Sequence, residues 1–196
     1  MIEIKRGNEL GEGSRRAIAE VLVDGFAEDF AFFSKDPRVL TDAFEHMIIL
    51  ERFHVGLVDG EPAAIATVTE RDQECFEPRR REFQHALGRW HGLISYFIVR
   101  SQFLGTHDDA PPGLAEIGFV TTAPQFQKQG VATALMKQLL TLPYEEFVLR
   151  DIKDTNTAAL ALYRKLGFRE LHTRPVKFAK RAGFSTYVSM TRKTAE

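Results

Sequence analysis

One stretch limits the folds open to this chain more than any other. The run Ala115-Glu116-Ile117-Gly118-Phe119-Val120-Thr121 reads as a strand and leads through a polar loop, residues 125–130, into an amphipathic helix. That helix repeats its apolar positions, Leu135, Met136, Leu139 and Leu140, at helical spacing and ends before Pro143. A second strand follows over residues 146–152, with Phe147, Val148 and Leu149 at its centre. Thr155 or Asn156 then opens another helix, which stops at Gly167. Strand and helix periods in this order imply a mixed α/β layer structure.

The rest of the chain extends the pattern. Residues 2–5 alternate as a short strand. Ser14 can cap a helix over residues 15–33, with Ile18, Val21, Leu22 and Phe26 inward. Asp36-Pro37 breaks the chain before a second helix over 38–50, with Val39, Phe44, Met47 and Ile48 inward. Residues 53–58 and 63–69 form a hairpin around Asp59-Gly60-Glu61-Pro62, because Asp-Gly tolerates the positive φ of a tight turn. Residues 74–104 read as one or two helices with a break near 88–92, followed by an Asp-, Pro- and Gly-rich loop over 105–113. Strands are expected from Phe168, at 176–179 and at 186–191, around an Ala182-Gly183 turn.

Composition removes several classes. The 196 residues suit one well-buried core, read as a single domain over 1–196. A net charge of −1 gives no global field for nucleic acid. No window approaches a membrane span and no signal peptide is evident, so no membrane partner is expected and the cytoplasm is the default. One cysteine excludes a disulfide framework within the chain. Cys75 lies beside Glu74 and Glu77, which disfavour a thiolate nucleophile. The six histidines show no ligand spacing, so no metal is expected. The 16 phenylalanines suggest a Phe-rich core, with an apolar acceptor pocket as the alternative for some of them. Arg79-Arg80-Arg81 reads as a solvated helix face.

The loop before the 131–142 helix carries Gly130 and the small Ala132, which let a ligand approach exposed amides at a helix N-terminus, a natural phosphate site. No G-x-x-x-x-G-K-[ST] is present, and Gly11-Glu12-Gly13 fails the dinucleotide pattern because Arg16 stands at its third glycine position. Gln127-Lys128-Gln129-Gly130-Val131-Ala132 resembles the acyl-CoA motif Q/R-x-x-G-x-G/A of the GNAT N-acetyltransferase superfamily. Residues 156–168, from Asn156 through Tyr163 to Gly167-Phe168, resemble its second signature, N-x-x-A-x-x-L-Y-x-x-x-G-F. The likeness is good for residues 116–171, is topological for 1–69, and lapses near 74–113, where the family has a short turn between its third and fourth strands. The resemblance implies a GNAT-like domain with a central mixed, mostly antiparallel sheet flanked by helices, here with a helical insertion over about 74–113.

It also implies an enzyme with acetyl-CoA as cosubstrate. Backbone groups at Val120 and Thr122 would bind the pantetheine arm as an added strand, in the gap where two strands part. The loop Gln127 to Thr133 would hold the pyrophosphate, through the amides of Gln129, Gly130, Val131, Ala132 and Thr133 with Gln127 and Lys128 alongside. Asn156 would contact the arm or simply cap its helix. Tyr163 falls at the family's tyrosine and would donate a proton to the leaving thiolate, with a buried structural tyrosine as the alternative. Glu116, a carboxylate in an apolar strand, is either a general base or one half of a structural ion pair. An amide near Val120 would stabilise the oxyanion. The expected reaction is direct attack by a primary amine of a small molecule or peptide. The alternatives are a protein-lysine acyltransferase and an inactive acyl-CoA-binding regulator. The insertion's apolar half, 93–99, is expected to serve as a lid or as a homodimer interface.

Overall fold

The computed structural model describes residues 1–105, 111–177 and 179–194. The chain opens with β1 (Ile2–Arg6), then α1 (Arg15–Gly25), α2 (Ala27–Phe30) and α3 (Pro37–Phe44). The hairpin β2 (Phe53–Val58) and β3 (Glu61–Glu70) follows, and then α4 (Arg80–Leu87) and α5 (Arg89–Phe103). The C-terminal half runs β4 (Leu114–Thr122), α6 (Val131–Leu139), β5 (Glu146–Lys153), α7 (Thr157–Lys165), β6 (Arg169–Pro175), α8 (Ala179–Ala182) and β7 (Thr186–Lys193). The strands form one sheet in the order β1-β2-β3-β4-β5-β7-β6. Among the described residues only the central β4–β5 pairing is parallel. The expected mixed, mostly antiparallel sheet with flanking helices is therefore the observed one.

Strand periodicity of two sends alternate side chains to two cores. Phe53, Val55, Leu57 and Ile65 face a cluster with α1, α3, α4 and α5. Ala64, Ala66, Val68, Ala115, Ile117, Phe147 and Leu149 face a second cluster with α6 and α7. β3 is buried on both sides, which is why it reads as a nearly unbroken apolar run. The first core holds most of the phenylalanines: the Phe30 and Phe44 rings meet edge to face at 4.7 Å, and Phe76 and Phe119 at 4.8 Å. Such pairs add stability beyond their buried area.

Several expected elements differ. The helix expected over 15–33 breaks at Phe26, whose φ of −120° and ψ of 24° are not helical. Its ring packs on Phe30 and Phe119, and that tertiary contact outweighs local propensity. The helix expected over 38–50 ends at Phe44 and tightens into a 3₁₀ turn, Glu45–Met47. The strand expected at 176–179 is absent among its described residues. Instead the Val176 N–H donates to the Ser185 carbonyl at 2.9 Å, and the helix formers Ala179-Lys-Arg-Ala make a short turn. The 74–104 helices break at Gly88, at φ 83°. On α5, Ser95 and Val99 are buried, while Trp90, Ile94 and Phe97 are 80%, 52% and 58% exposed.

Candidate active site

The central parallel pair is short. β4 and β5 pair from Leu114/Glu146 to Glu116/Val148 and no further, although β4 runs on to Thr122 and β5 to Lys153. Two bulges explain the parting. On β4, Phe119 and Val120 together oppose the single residue Ala66 of β3. On β5, Arg150 and Asp151 together oppose Ser189 of β7. Phe119 and Asp151 sit at φ 48° and 51°, which side chains rarely adopt, and each bulge bends its strand and leaves backbone groups unpaired. The ring of Phe119 packs among Phe26, Phe76 and Phe103, which holds that backbone in place. The edge of β4 from Gly118 to Thr122 that faces β5 is thereby open to strand-like pairing.

The loop beyond β4 turns at two left-handed residues, Lys128 at φ 61° and Gly130 at φ 83°. Gly130 is the N-cap of α6, and no side chain caps the helix there. The first amides of α6, at Val131, Ala132 and Thr133, have no carbonyl within reach inside the helix and carry its positive dipole end. A Cβ built at Gly130 meets nothing within 4 Å. Gln127 to Gly130 are exposed. The side chain of Gln127 donates to the Thr122 carbonyl at 3.3 Å, and that of Gln129 to the Gln125 carbonyl at 2.9 Å. These carboxamides brace the loop from within.

The remaining candidates lie on α7, on β4 and before α4. Tyr163 is buried in one cluster with Ile117, Leu149, Val120 and Ile152, its ring 6.0 Å from that of Phe168. Burial pushes its phenol well above the ordinary tyrosine value. Its hydroxyl makes no hydrogen bond among the described residues. Asn156 caps α7, its side chain accepting the Ala159 N–H at 3.2 Å, and is otherwise exposed. Glu116 stands at the last β4–β5 pair and accepts the Arg150 Nε–H at 2.9 Å, with both side chains mostly covered. Cys75 is buried, and burial pushes its thiol up to about 12, which removes it as a nucleophile.

Sequence reasoning missed Arg150 and the bulges at Phe119 and Asp151. Arg150 reads as an ordinary charge on a strand. A bulge set by non-glycine residues leaves no local signature. Among the described residues no helix is long and apolar enough to cross a membrane, and no group of three His, Cys, Asp or Glu residues is placed to hold a metal.

Among the described residues, then, a seven-stranded mixed α/β sheet has one parallel pair, and that pair parts beside an uncapped helix start. The Acetyltransferase (GNAT) family model matches residues 19–168. The N-alpha-acetyltransferase RimI of Mycobacterium tuberculosis is 33% identical over a match covering 59% of this chain and 84% of that one. The ribosomal-protein-S18-alanine N-acetyltransferase of Escherichia coli superposes with a TM-score of 0.59 at 16% identity, over 100% of this chain and 96% of that one. YncA of Salmonella typhimurium, a putative acetyltransferase solved with its cofactor acetyl-CoA, gives 0.56 at 16% identity, over 100% and 95%. The chain belongs to the GNAT acetyltransferase family and is an N-acetyltransferase of the kind that uses acetyl-CoA.

Proposed function

We propose that this enzyme transfers the acetyl group of acetyl-CoA to the α-amine of a peptide or protein N-terminus, by direct attack on the thioester. The observation that carries this reading is the parting of β4 and β5 beyond Glu116 and Val148, directly beside the uncapped start of α6. An extended pantetheine arm fits the open β4 edge at Val120 and Thr122. The pyrophosphate fits the amides of Gln129, Gly130, Val131, Ala132 and Thr133, with Gln127 bracing the loop and Lys128 adding positive charge at its turn. Asn156 fixes the start of α7, which carries Tyr163 into the gap.

In the reaction a C–N bond forms, the C–S bond breaks, the amine loses a proton and the thiolate gains one. Tyr163 donates to the departing sulfur. Burial pushes its phenol well above the ordinary tyrosine value, so the hydroxyl carries the proton that the departing thiolate takes. A Val120 amide freed by the bulge faces the developing oxyanion. Glu116, oriented by Arg150, receives the amine's proton through water. One Glu116 oxygen is already engaged, which favours an amine needing little help. An α-amine titrates near 8, so a sizeable share is neutral at pH 7.5, against roughly a thousandth of lysine side chains. The N-alpha activity and alanine target that the relatives' names carry point the same way.

The test offers two peptides with acetyl-CoA: one with a free alanine N-terminus and no lysine, and one with a blocked N-terminus and one lysine. Thiol release with the first supports the reading. Release with the second alone makes the enzyme a lysine acetyltransferase. Saturable acetyl-CoA binding without turnover of either peptide or of small amines makes it a binding protein.

A further inference from the structure

The sheet end opposite the α6 start carries a cavity. It measures about 190 Å³ and is lined by Arg6, Glu51, Arg52, His54, Val68, Glu70, Leu142 and Tyr144. Strand register puts these groups together. Arg6 of β1 pairs directly with His54 of β2, and His54 with Ala66 of β3. Val68 and Glu70 follow Ala66 at steps of two, so all project from one face. Leu142 and Tyr144, just past α6, close the cavity from above, and the turn Leu50–Arg52 closes its side.

Its polar groups are unfinished. His54 is 6% exposed, yet neither ring nitrogen has a hydrogen-bond partner, and the buried Arg52 Nε also lacks one. Among the described residues neither arginine and neither carboxylate of the lining forms an ion pair within 4 Å. The one side-chain bond joining lining residues is the Tyr144 hydroxyl donating to Glu70 Oε1 at 2.7 Å. Buried donors and acceptors left unpaired cost on the order of 1–3 kcal/mol each, so something polar belongs there. The volume equals about six waters at roughly 30 Å³ each, enough for a small solute.

We propose that this cavity binds a small zwitterion of free amino-acid size. The lining holds two guanidiniums and two carboxylates, so a lone anion would face Glu51 and Glu70, and a lone cation would face Arg6 and Arg52. A molecule bearing both a carboxylate and an ammonium satisfies each pair. Arg52 Nε and one His54 nitrogen donate to the carboxylate, and Glu70 accepts from the ammonium. Its lining residues Val68 and Glu70 flank Thr69, the register partner of Glu116, but none of the lining residues belongs to the proposed acetyl-CoA gap, and the proposal does not rest on that reading.

The probes are L-alanine, acetate and ethylammonium, titrated calorimetrically into the full chain, with the His54 ring nitrogens followed by NMR. L-Alanine is expected to bind saturably and shift the His54 signals, with acetate and ethylammonium each weaker by about tenfold or more. Arg52→Gln, and Glu70→Gln, which keeps an acceptor for Tyr144, should each weaken alanine by about tenfold while leaving acetyl-CoA affinity unchanged. That pattern separates this cavity from an amine bound at the gap. Absence of saturable alanine binding, acetate matching alanine, or alanine affinity indifferent to both substitutions would overturn the proposal and leave the cavity to water.

Discussion

Phe119 of β4 and Asp151 of β5 hold the same left-handed backbone conformation, φ 48° and 51°, at paired bulges on the two strands that border the central gap. Neither residue favours that conformation, and each costs about 1 kcal/mol or more. The phenylalanine core around Phe119 holds one bulge in place, and at the other Asp151 accepts from Arg174 at 2.9 Å at the surface. Two small distortions thus open the sheet at the parallel β4–β5 seam, where the acyl donor is proposed to enter.

Gly130→Asp should abolish most acetyl-CoA binding. Gly130 sits at φ 83° in open space, so the change adds backbone strain of about 1 kcal/mol and places a negative charge at the start of α6. Calorimetry is expected to show a loss of about tenfold or more with circular dichroism unchanged.

Tyr163→Phe should act on chemistry and not on folding. The lost hydroxyl makes no hydrogen bond among the described residues, so the thermal midpoint should move little. Turnover should fall by about a hundredfold, in line with loss of one proton donor. Unchanged kcat would reduce Tyr163 to a packing residue.

Glu116→Gln separates a base from an ion pair. The proposed role predicts a drop of about tenfold in kcat/KM for α-amines, with the acid limb of the pH–rate profile displaced. An Arg150→Met variant with the same stability loss but an unaltered pH profile would complete the comparison. Identical behaviour of the two variants would assign Glu116 to the pair with Arg150 alone.

Gly25→Ala should destabilise the fold at the lip of the gap. A Cβ at Gly25 would lie 1.9 Å from Thr121 Oγ1 and 2.5 Å from its Cβ, so α1 or β4 must shift. Overpacking of this kind costs about 1–3 kcal/mol. Urea unfolding should register that loss, and adding Thr121→Ala should restore part of it.

Stability should fall between pH 6.5 and pH 4. Burial holds His46 and His54 down at about 4, against an ordinary 6.5. His46 Nε2 accepts the Arg79 N–H at 2.9 Å, a bond its protonation would break. In this window the unfolded chain binds protons that the folded chain refuses, so stability is full above about 6.5 and drains away towards 4. The loss from pH 7 to pH 5 is on the order of 1–2 kcal/mol per histidine. Urea unfolding at the two pH values measures it, and His46→Gln should flatten the dependence.

Much of this was legible in the residues. The strand–loop–helix around Gly130 and the Asn156–Tyr163–Gly167 signature stand where their periodicity and glycines put them, because both are local patterns. The break at Phe26, the early end of α3 and the loss of the strand at 176–179 were not legible, because contacts with distant residues decided them. The same holds for the partner of Glu116: Arg150 is 34 positions away and meets it only through the β4–β5 register.

By itself, the sequence determined the family, the order of most elements and the strand–loop–helix around Gly130, since capping, turn chemistry and apolar period act over a few residues. Tertiary structure alone decided where β4 and β5 part, which carboxylate meets which guanidinium, and that Arg6, Arg52, His54 and Glu70 share a cavity. Those outcomes depend on strand register, and register is fixed by which face each strand buries against elements distant in sequence.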